Sequence, residues 1–230
     1  MNKVELFLWG VLPYIIVTYV IVAVIWRYLK YPYSWTSKSS EMLEKRYLKW
    51  GSFLFHYGIL AVMCGHIAGL LVPIEVYQAL GVSDELYHKF AIGGGVPAGV
   101  VSIIGVIILL YRRVMVARIR ATSSAGDMIA LIVLTVAMLS GFIATSINAL
   151  SHSGFDYRTT INPWVRGMIV FQPEAELMAD VPISFKIHIL ITFALYIVFP
   201  FTRLVHMLSM PISYLKRSYV LYRRRGESSN

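Results

Sequence analysis

The run GSFLFHYGILAVMCGHIAGLLV, residues 51–72, decides the fold class of this chain. Its 22 residues include no Lys, Arg, Asp or Glu, yet they include two histidines, His56 and His66. A helix needs about 20 apolar residues to cross a hydrocarbon core of about 30 Å. The run therefore predicts a membrane-spanning helix that carries two imidazoles.

The composition of the whole chain agrees with a membrane protein. Of its 230 residues, 57% are apolar and 14% are charged, and the mean hydropathy is +0.66. A soluble domain carries about 25% charged residues. The single cysteine, Cys64, excludes an internal disulfide and a four-cysteine iron–sulfur cluster, and we expect it in the core. We expect membrane lipid, and no nucleic acid, around this chain.

Further apolar runs predict an all-α membrane protein, a bundle of five transmembrane helices in one domain of residues 1–230. Irregular spans are unfavourable because lipid offers no partners for backbone polar groups. A tail of about 209–230 follows the last span. The predicted spans cover residues 6–26, 51–72, 90–111, 128–150 and 183–208.

The distribution of basic residues predicts the orientation of the bundle. Of the 21 Lys and Arg residues, 16 lie in three segments, 27–49, 112–120 and 203–225. Positive charge is enriched on the cytoplasmic side of membrane proteins. We therefore predict a multi-pass protein of the cytoplasmic membrane, with its N-terminus outside and its C-terminus and tail in the cytoplasm.

Four of the six histidines lie in two of the predicted helices: His56 and His66 in the second, His188 and His206 in the fifth. An imidazole inside a membrane is costly and usually serves a function, and it is a common axial ligand of haem iron. Because the two helices run antiparallel, His66 lies level with His188, and His56 with His206. We therefore predict two haem b groups, one outer and one inner.

The spacing of the histidines within each helix differs. The ten residues from His56 to His66 correspond to roughly 15 Å, and the eighteen residues from His188 to His206 correspond to roughly 27 Å along one face. Tilt of the helices or of the haems can absorb the difference. Satisfied core histidines and a haem-free, histidine-dependent transporter remain alternatives, although inverted repeats and broken helices are not evident. A purely structural anchor would leave four imidazoles without a role.

Other polar residues lie close to the predicted haems. Arg203, together with Arg112 and Arg113, is predicted at the inner end, where a guanidinium can pair with a haem propionate. His88 and Lys89 are predicted at the outer end of the third helix. A donor or proton acceptor at that place can serve a quinol hydroxyl.

Short motifs occur in a fixed order along nearly the whole chain. They are YSW at 33–35, SSEML at 39–43, FHYGI at 55–59, GH at 65–66 with Gly69, AIGGG at 91–95, RIRAT at 118–122, GD at 126–127, FKIHI at 185–189 and FPFTRLVH at 199–206. In this order and spacing they resemble the gamma subunit of respiratory nitrate reductase, a membrane di-haem cytochrome b.

The resemblance implies an outer haem on His66 and His188 and an inner haem on His56 and His206. It also implies that quinol is oxidised near the outer haem, close to Gly65. The chain would then be the quinol-oxidising, electron-transferring subunit of the enzyme, with two haem b as cofactors and quinol as substrate.

The quinol site departs from the family pattern at one position. The family has a lysine just before the third helix, at a position that aligns with Tyr87, and the nearest basic residues here are His88 and Lys89. All three residues are therefore candidate quinol contacts.

The resemblance also implies two partners, an iron–sulfur (beta) subunit and a molybdenum catalytic (alpha) subunit that reduces nitrate. A related di-haem cytochrome b of a sulfite- or heterodisulfide-reducing complex remains an alternative.

Overall fold

The computed structural model describes residues 2–35, 40–150 and 155–209, and within these ranges it is helical with no strands. Five of its helices are long and apolar enough to cross a membrane. They are α1, Lys3–Lys30, α2, Arg46–Leu71, α3, Asp84–Met115, α4, Ala125–Leu150, and a fifth span, Ile183–Phe201, whose α-helical part, Ile183–Val198, is α5. The predicted tail from residue 210 onward, and Ser39 of the SSEML motif, lie outside the described residues.

The predicted bundle of five spanning helices is confirmed, and most helices are longer than the hydropathy indicated. The third helix begins at Asp84, well before the predicted start at residue 90. Ser83 is its N-cap, and its side chain accepts a hydrogen bond from the Leu86 N–H. This cap satisfies a free helix donor, so polar residues extend the helix beyond its apolar core.

The fifth span differs from the prediction of one helix over 183–208. The α-helix ends at Val198, a 3₁₀ turn follows at Phe199–Phe201, and a second 3₁₀ segment covers Arg203–Ser209. Thr202 between them is extended, with φ −113° and ψ 177°. Pro200 lacks the N–H that would continue the α-helical ladder. His188 and His206 therefore do not lie on one continuous α-helix, so the assumption behind the predicted axial separation was wrong.

Close backbone contact joins α2 to α3. A Cβ added at Gly58 would lie 2.6 Å from the backbone nitrogen of Ser102, and one at Gly105 would overlap the backbone of Phe55. Small residues allow such approach in membrane helices. The other main contacts join α4 to α5, α3 to α4 and α1 to α5.

Cys64 is exposed on α2, so the expectation of a core position was wrong. Hydropathy cannot separate a lipid-facing position from a core position, because both surroundings are apolar.

The connection between α4 and α5 folds back over the predicted outer end. It contains a helix at Ile161–Ile169 and a 3₁₀ turn at Ala175–Met178. Trp164 is buried edge-on against Trp9 of α1, and its indole N–H donates to the Trp9 carbonyl at 2.8 Å. These contacts close the outer end of the bundle with an apolar cluster.

Candidate functional site

The structure brings together both histidine pairs that the sequence predicts. The ring centroids of His56 and His206, the inner pair, are 6.4 Å apart. Those of His66 and His188, the outer pair, are 6.5 Å apart. Each pair joins α2 to the fifth span, so two facing imidazole pairs lie at different depths of the bundle.

Hydrogen bonds fix the tautomer of the inner pair. His56 Nδ1 lies 2.7 Å from the Ser52 carbonyl, and His206 Nδ1 lies 2.6 Å from the Arg203 carbonyl. A carbonyl only accepts, so in a neutral ring each Nδ1 carries the proton. The Nε2 lone pair of each ring is then available to a metal, which is the usual arrangement of metal-binding histidines.

In the outer pair each Nδ1 also carries the proton, but its hydrogen-bond partners differ from those of the inner pair. His66 Nδ1 lies 2.9 Å from the Val62 carbonyl. His188 Nδ1 lies 3.0 Å from Ser140 Oγ, which donates its own proton to the Ala137 carbonyl at 2.9 Å. Ser140 Oγ therefore accepts from His188 Nδ1, and both Nε2 atoms of the pair are free to bind a metal.

The chemistry of these donors fits haem. The two rings of each pair are close enough, at 6.4 and 6.5 Å between centroids, for both to reach one metal at the bond length of about 2 Å that imidazole nitrogens form. In the part of the chain that the structure describes, no group of three or more His, Cys, Asp or Glu side chains could hold a bare metal ion. Paired imidazoles suit an iron whose remaining ligands come from a porphyrin.

A cavity of about 410 Å³ lies beside the inner pair. Its wall combines apolar side chains with charged ones, as a haem with an apolar ring and ionised propionates requires. The lining includes His56, His206, Phe55, Leu109, Leu131, Leu134, Arg112, Arg113, Arg203 and Asp127.

Two of these arginines share one carboxylate. Arg203 Nε lies 2.6 Å from Asp127 Oδ1, and Arg113 Nη1 lies 3.0 Å from Asp127 Oδ2. Two guanidiniums on one carboxylate leave a net positive charge in the cavity wall, which favours an anion such as a propionate. Sequence reasoning missed Asp127 as a site residue, although the motif at 126–127 contained it.

Arg112 lines the cavity but is buried and fully engaged. It donates to Glu44 Oε2 at 2.6 Å, to the carbonyls of Ser40 and Glu44, and to Ser40 Oγ. Burial raises the pKa of the Glu44 carboxyl, but the hydrogen bonds from the Tyr47 N–H and Arg112 outweigh it and hold this pKa below its usual range. Arg112 thus fastens the 40–45 segment to α3, and its contact with a propionate stays a prediction.

The candidate quinol contacts differ in their surroundings: Gly65 adjoins open space, Tyr87 lies in a buried cluster, and Lys89 lies at the surface. A Cβ added at Gly65 would meet no atom within 4 Å, whereas one at Gly69 would lie 3.4 Å from the hydroxyl of Tyr87. Tyr87 is buried and accepts a hydrogen bond from the Tyr157 hydroxyl at 3.4 Å. Lys89 lies apart from this cluster, since it is exposed and pairs with Glu85 at 2.7 Å.

His88 belongs with Tyr87, in a cluster organised by Arg158. The buried guanidinium of Arg158 lies 4.7 Å from the ring centroid of Tyr87 and 3.3 Å from His88 Nε2. It also pairs with Asp156 at 2.7 Å and with Asp84 at 3.0 Å. Sequence reasoning gave Arg158 no role, because its partners on α3 are 70 and 74 residues away.

The ionisation of this outer cluster follows from the same contacts. Burial raises the pKa of the Asp156 carboxyl, but the hydrogen bonds from Arg158 prevail and hold this pKa below its usual range. The hydrogen bond with Asp156 raises the pKa of Arg158, and burial raises that of the Tyr157 hydroxyl. The cluster therefore holds a charged Asp156–Arg158 pair beside the neutral phenol of Tyr157.

Comparison with known proteins relates this chain to nitrate reductase gamma subunits. The family model described as nitrate reductase gamma subunit matches residues 5–225. The nitrate reductase gamma chain of Bacillus subtilis is 51% identical over 219 residues, which is 95% of this chain and 98% of the relative. The respiratory nitrate reductase 1 gamma chain of Escherichia coli is 32% identical over 98% of this chain and 100% of the relative. The nitrate reductase-like protein NarX of Mycobacterium tuberculosis is 41% identical over 97% of this chain, but over only 34% of the relative.

Proposed function

Because the chain belongs to the nitrate reductase gamma subunit family, we propose that it is the membrane di-haem cytochrome b of a respiratory nitrate reductase. In this role it oxidises quinol at the outer end and delivers electrons to a cytoplasmic partner. The observation that carries the proposal is the presence of two facing imidazole pairs with every Nδ1 engaged.

The two pairs would hold the two haem b groups, the outer on His66 and His188 and the inner on His56 and His206. When bound, the haem irons supply reversible one-electron oxidation and reduction. The chain contributes the orientation of each imidazole through its Nδ1 partner, which also raises the basicity of the ligating nitrogen. At the inner end, Arg203 and Arg113 contribute the positive charge that an ionised propionate requires.

Quinol oxidation releases two electrons and two protons, so the outer end needs groups that bind the quinol hydroxyls and accept protons. Gly65 and His66 supply open space and an imidazole close to the outer pair. Tyr87 and His88 supply polar groups within the Arg158 cluster, and His88 Nε2 is 4.0 Å from Asp156. Lys89 is the more distant candidate. Protons released here would leave to the outer side, which makes the reaction electrogenic.

The partners proposed for the chain are an iron–sulfur (beta) subunit and a molybdenum catalytic (alpha) subunit. The single cysteine cannot ligate a four-cysteine cluster, so the iron–sulfur clusters belong to a partner. The predicted cytoplasmic end offers exposed cations for docking. They include Lys45, Arg46, Lys49, Arg118 and Arg120.

The proposal is tested by a dithionite-reduced minus oxidised spectrum of the purified chain, with haem quantified per polypeptide. We expect two b-type haems, falling to one in His56→Ala and in His66→Ala, whereas the control His88→Ala keeps two. A chain without haem would favour the histidine-dependent transporter. One haem in the wild type would mean that one pair is misassigned.

The side of quinol oxidation is tested separately in proteoliposomes that contain the complex in one orientation. We expect quinol oxidation to acidify the compartment that faces the outer end. Acidification on the opposite side would overturn the electrogenic scheme.

A further inference from the structure

The break at the end of α5 interrupts the α-helical hydrogen-bond ladder of the fifth span. The α-helix stops at Val198, and the chain then passes through the 3₁₀ turn that contains Pro200 and through the extended residue Thr202. A backbone carbonyl at membrane depth must find a donor within the protein, because lipid supplies none. The donor here comes from a different span.

Arg27, near the end of α1, supplies that donor. Its Nη1 donates to the Pro200 carbonyl at 2.6 Å and to the Thr202 carbonyl at 2.7 Å. Its Nε and Nη2 donate to the side chain and carbonyl of Ser34, at 3.1 and 2.8 Å. All three nitrogens of the guanidinium are therefore engaged, and they join α1, the turn at Pro32–Trp35 and the break in the fifth span. We name this group of residues the Arg27 clamp.

The carbonyls held by the clamp, those of Pro200 and Thr202, belong to the segment that leads into His206. Thr202 is followed by Arg203, whose carbonyl accepts the hydrogen bond from His206 Nδ1 at 2.6 Å. The side chain of Arg203 is anchored on Asp127 at 2.6 Å. The path of the chain into His206 is thus fixed by Arg27 at its start and by Asp127 at its middle, instead of by a continuous α-helix.

We infer that Arg27 is a positioning residue for the inner pair, acting through the Pro200–Thr202 break on the placement of His206. This inference rests on the proposed function, in which His206 ligates the inner haem. Ser34 is the second attachment of the clamp, because both its side chain and its carbonyl accept from Arg27. Lysine cannot replace the arginine fully, because an ammonium lacks the planar fork that reaches four acceptors at once.

The inference is tested with the variants Arg27→Gln and Arg27→Lys and the matched control Arg46→Gln, an exposed arginine at the same end. Haem per polypeptide and the low-spin electron paramagnetic resonance signals of the oxidised protein are measured, with each signal assigned from His56→Ala and His66→Ala. In Arg27→Gln we expect the inner signal to shift or disappear and the haem content to fall toward one, while the outer signal stays. Arg27→Lys should restore part of the loss, and Arg46→Gln should match the wild type.

A second readout does not depend on haem. Amide hydrogen exchange over residues 199–206 should be at least about tenfold faster in Arg27→Gln, since the break loses its anchor. Two haems with an unchanged inner signal in Arg27→Gln would overturn the positioning role alone, and so would equal loss of both haems, which would indicate a general folding defect. A wild-type chain without haem would overturn the proposed function, and the positioning role would fall with it.

Discussion

The outer and inner pairs have nearly the same separation between ring centroids, 6.5 and 6.4 Å, but the structure builds them differently. In the outer pair, His66 and His188 both lie within regular α-helices, and a serine on the neighbouring α4 orients His188. In the inner pair, His206 lies beyond a helix break and is placed by side chains from α1 and α4. One geometry therefore arises from helix packing and the other from a hydrogen-bonded network.

The spacing of the histidines, ten residues on α2 and eighteen on the fifth span, is unequal in the same sense. Because the fifth span is interrupted at residues 199–202, its eighteen residues do not form one straight α-helix, and an axial separation calculated for such a helix does not apply to His188 and His206. We therefore expect added bulk between helices to disturb the outer pair. We expect loss of a buried charge partner to disturb the inner end.

The largest expected effect is at the inner end, in Arg112→Met. This change removes the buried guanidinium from the half-buried Glu44 carboxylate, and breaking a buried pair costs about 3–5 kcal/mol, so we expect a loss near the lower end of that range. We expect that decrease in the free energy of unfolding, measured in mixed detergent and dodecyl sulfate. The double variant Arg112→Met/Glu44→Met should recover most of it. A loss below about 1 kcal/mol in the single variant would mean that the Arg112–Glu44 pair is not structural.

The second-largest effect is expected at the outer end, for the variant Gly141→Ala. The added Cβ would lie 2.8 Å from Cε1 of His188, a rigid ring that cannot yield without turning. Overpacking of this kind costs about 1–3 kcal/mol, so we expect outer-haem occupancy to fall about fivefold or more while the inner haem stays. The control is Gly126→Ala on the same helix, where the nearest atom is 3.8 Å away. Loss of the inner haem instead would contradict the assignment of the pairs.

A smaller effect is expected from acid at the outer cluster. The folded pKa of Asp156 lies below its ordinary value of 3.8, so its pairing with Arg158 stabilises the fold above about pH 4 and is lost as the pH falls through the folded pKa. Amide exchange over residues 155–182, corrected for intrinsic rates, should rise below pH 3.8. In Asp156→Asn, amide exchange over the same residues should already be faster than in the wild type at pH 6, and it should increase less as the pH falls. A wild-type response equal to that of Asp156→Asn would disprove the role of this carboxylate.

The smallest effect is expected for Lys89→Gln. Lys89 forms an exposed ion pair with Glu85, and such pairs contribute little. We expect less than about a twofold change in the KM for quinol. Tyr87→Phe and His88→Gln, which alter the Arg158 cluster, should raise this KM several-fold. If Lys89→Gln changed this KM more than Tyr87→Phe and His88→Gln did, the quinol site would have to be assigned to the exposed surface around Lys89.

Much of this architecture could be predicted from the sequence, because the membrane imposes strong local rules. Apolar length located the five spans, and antiparallel topology matched the histidines into the pairs that the structure brings together. The break at Pro200 escaped prediction because residues 199–208 are apolar enough to continue a span. The distant partners of Arg27, Arg158 and Asp127, which are Thr202, His88 and Arg203, escaped because they are 70 to 175 residues away in sequence, and hydropathy carries no information about such contacts.

The close seam between α2 and α3 has a consequence for electron transfer under the proposed function. His56 and His66 stand on the same helix, on either side of Gly58, whose backbone is pressed against Ser102. One rigid rod would therefore carry a ligand of each haem, and ten helical residues would fix their offset at roughly 15 Å along its axis. The offset between the two sites would then be built in covalently, and insertion or deletion of a single residue between the two histidines would turn one imidazole by about 100° around the helix axis, away from its partner on the fifth span.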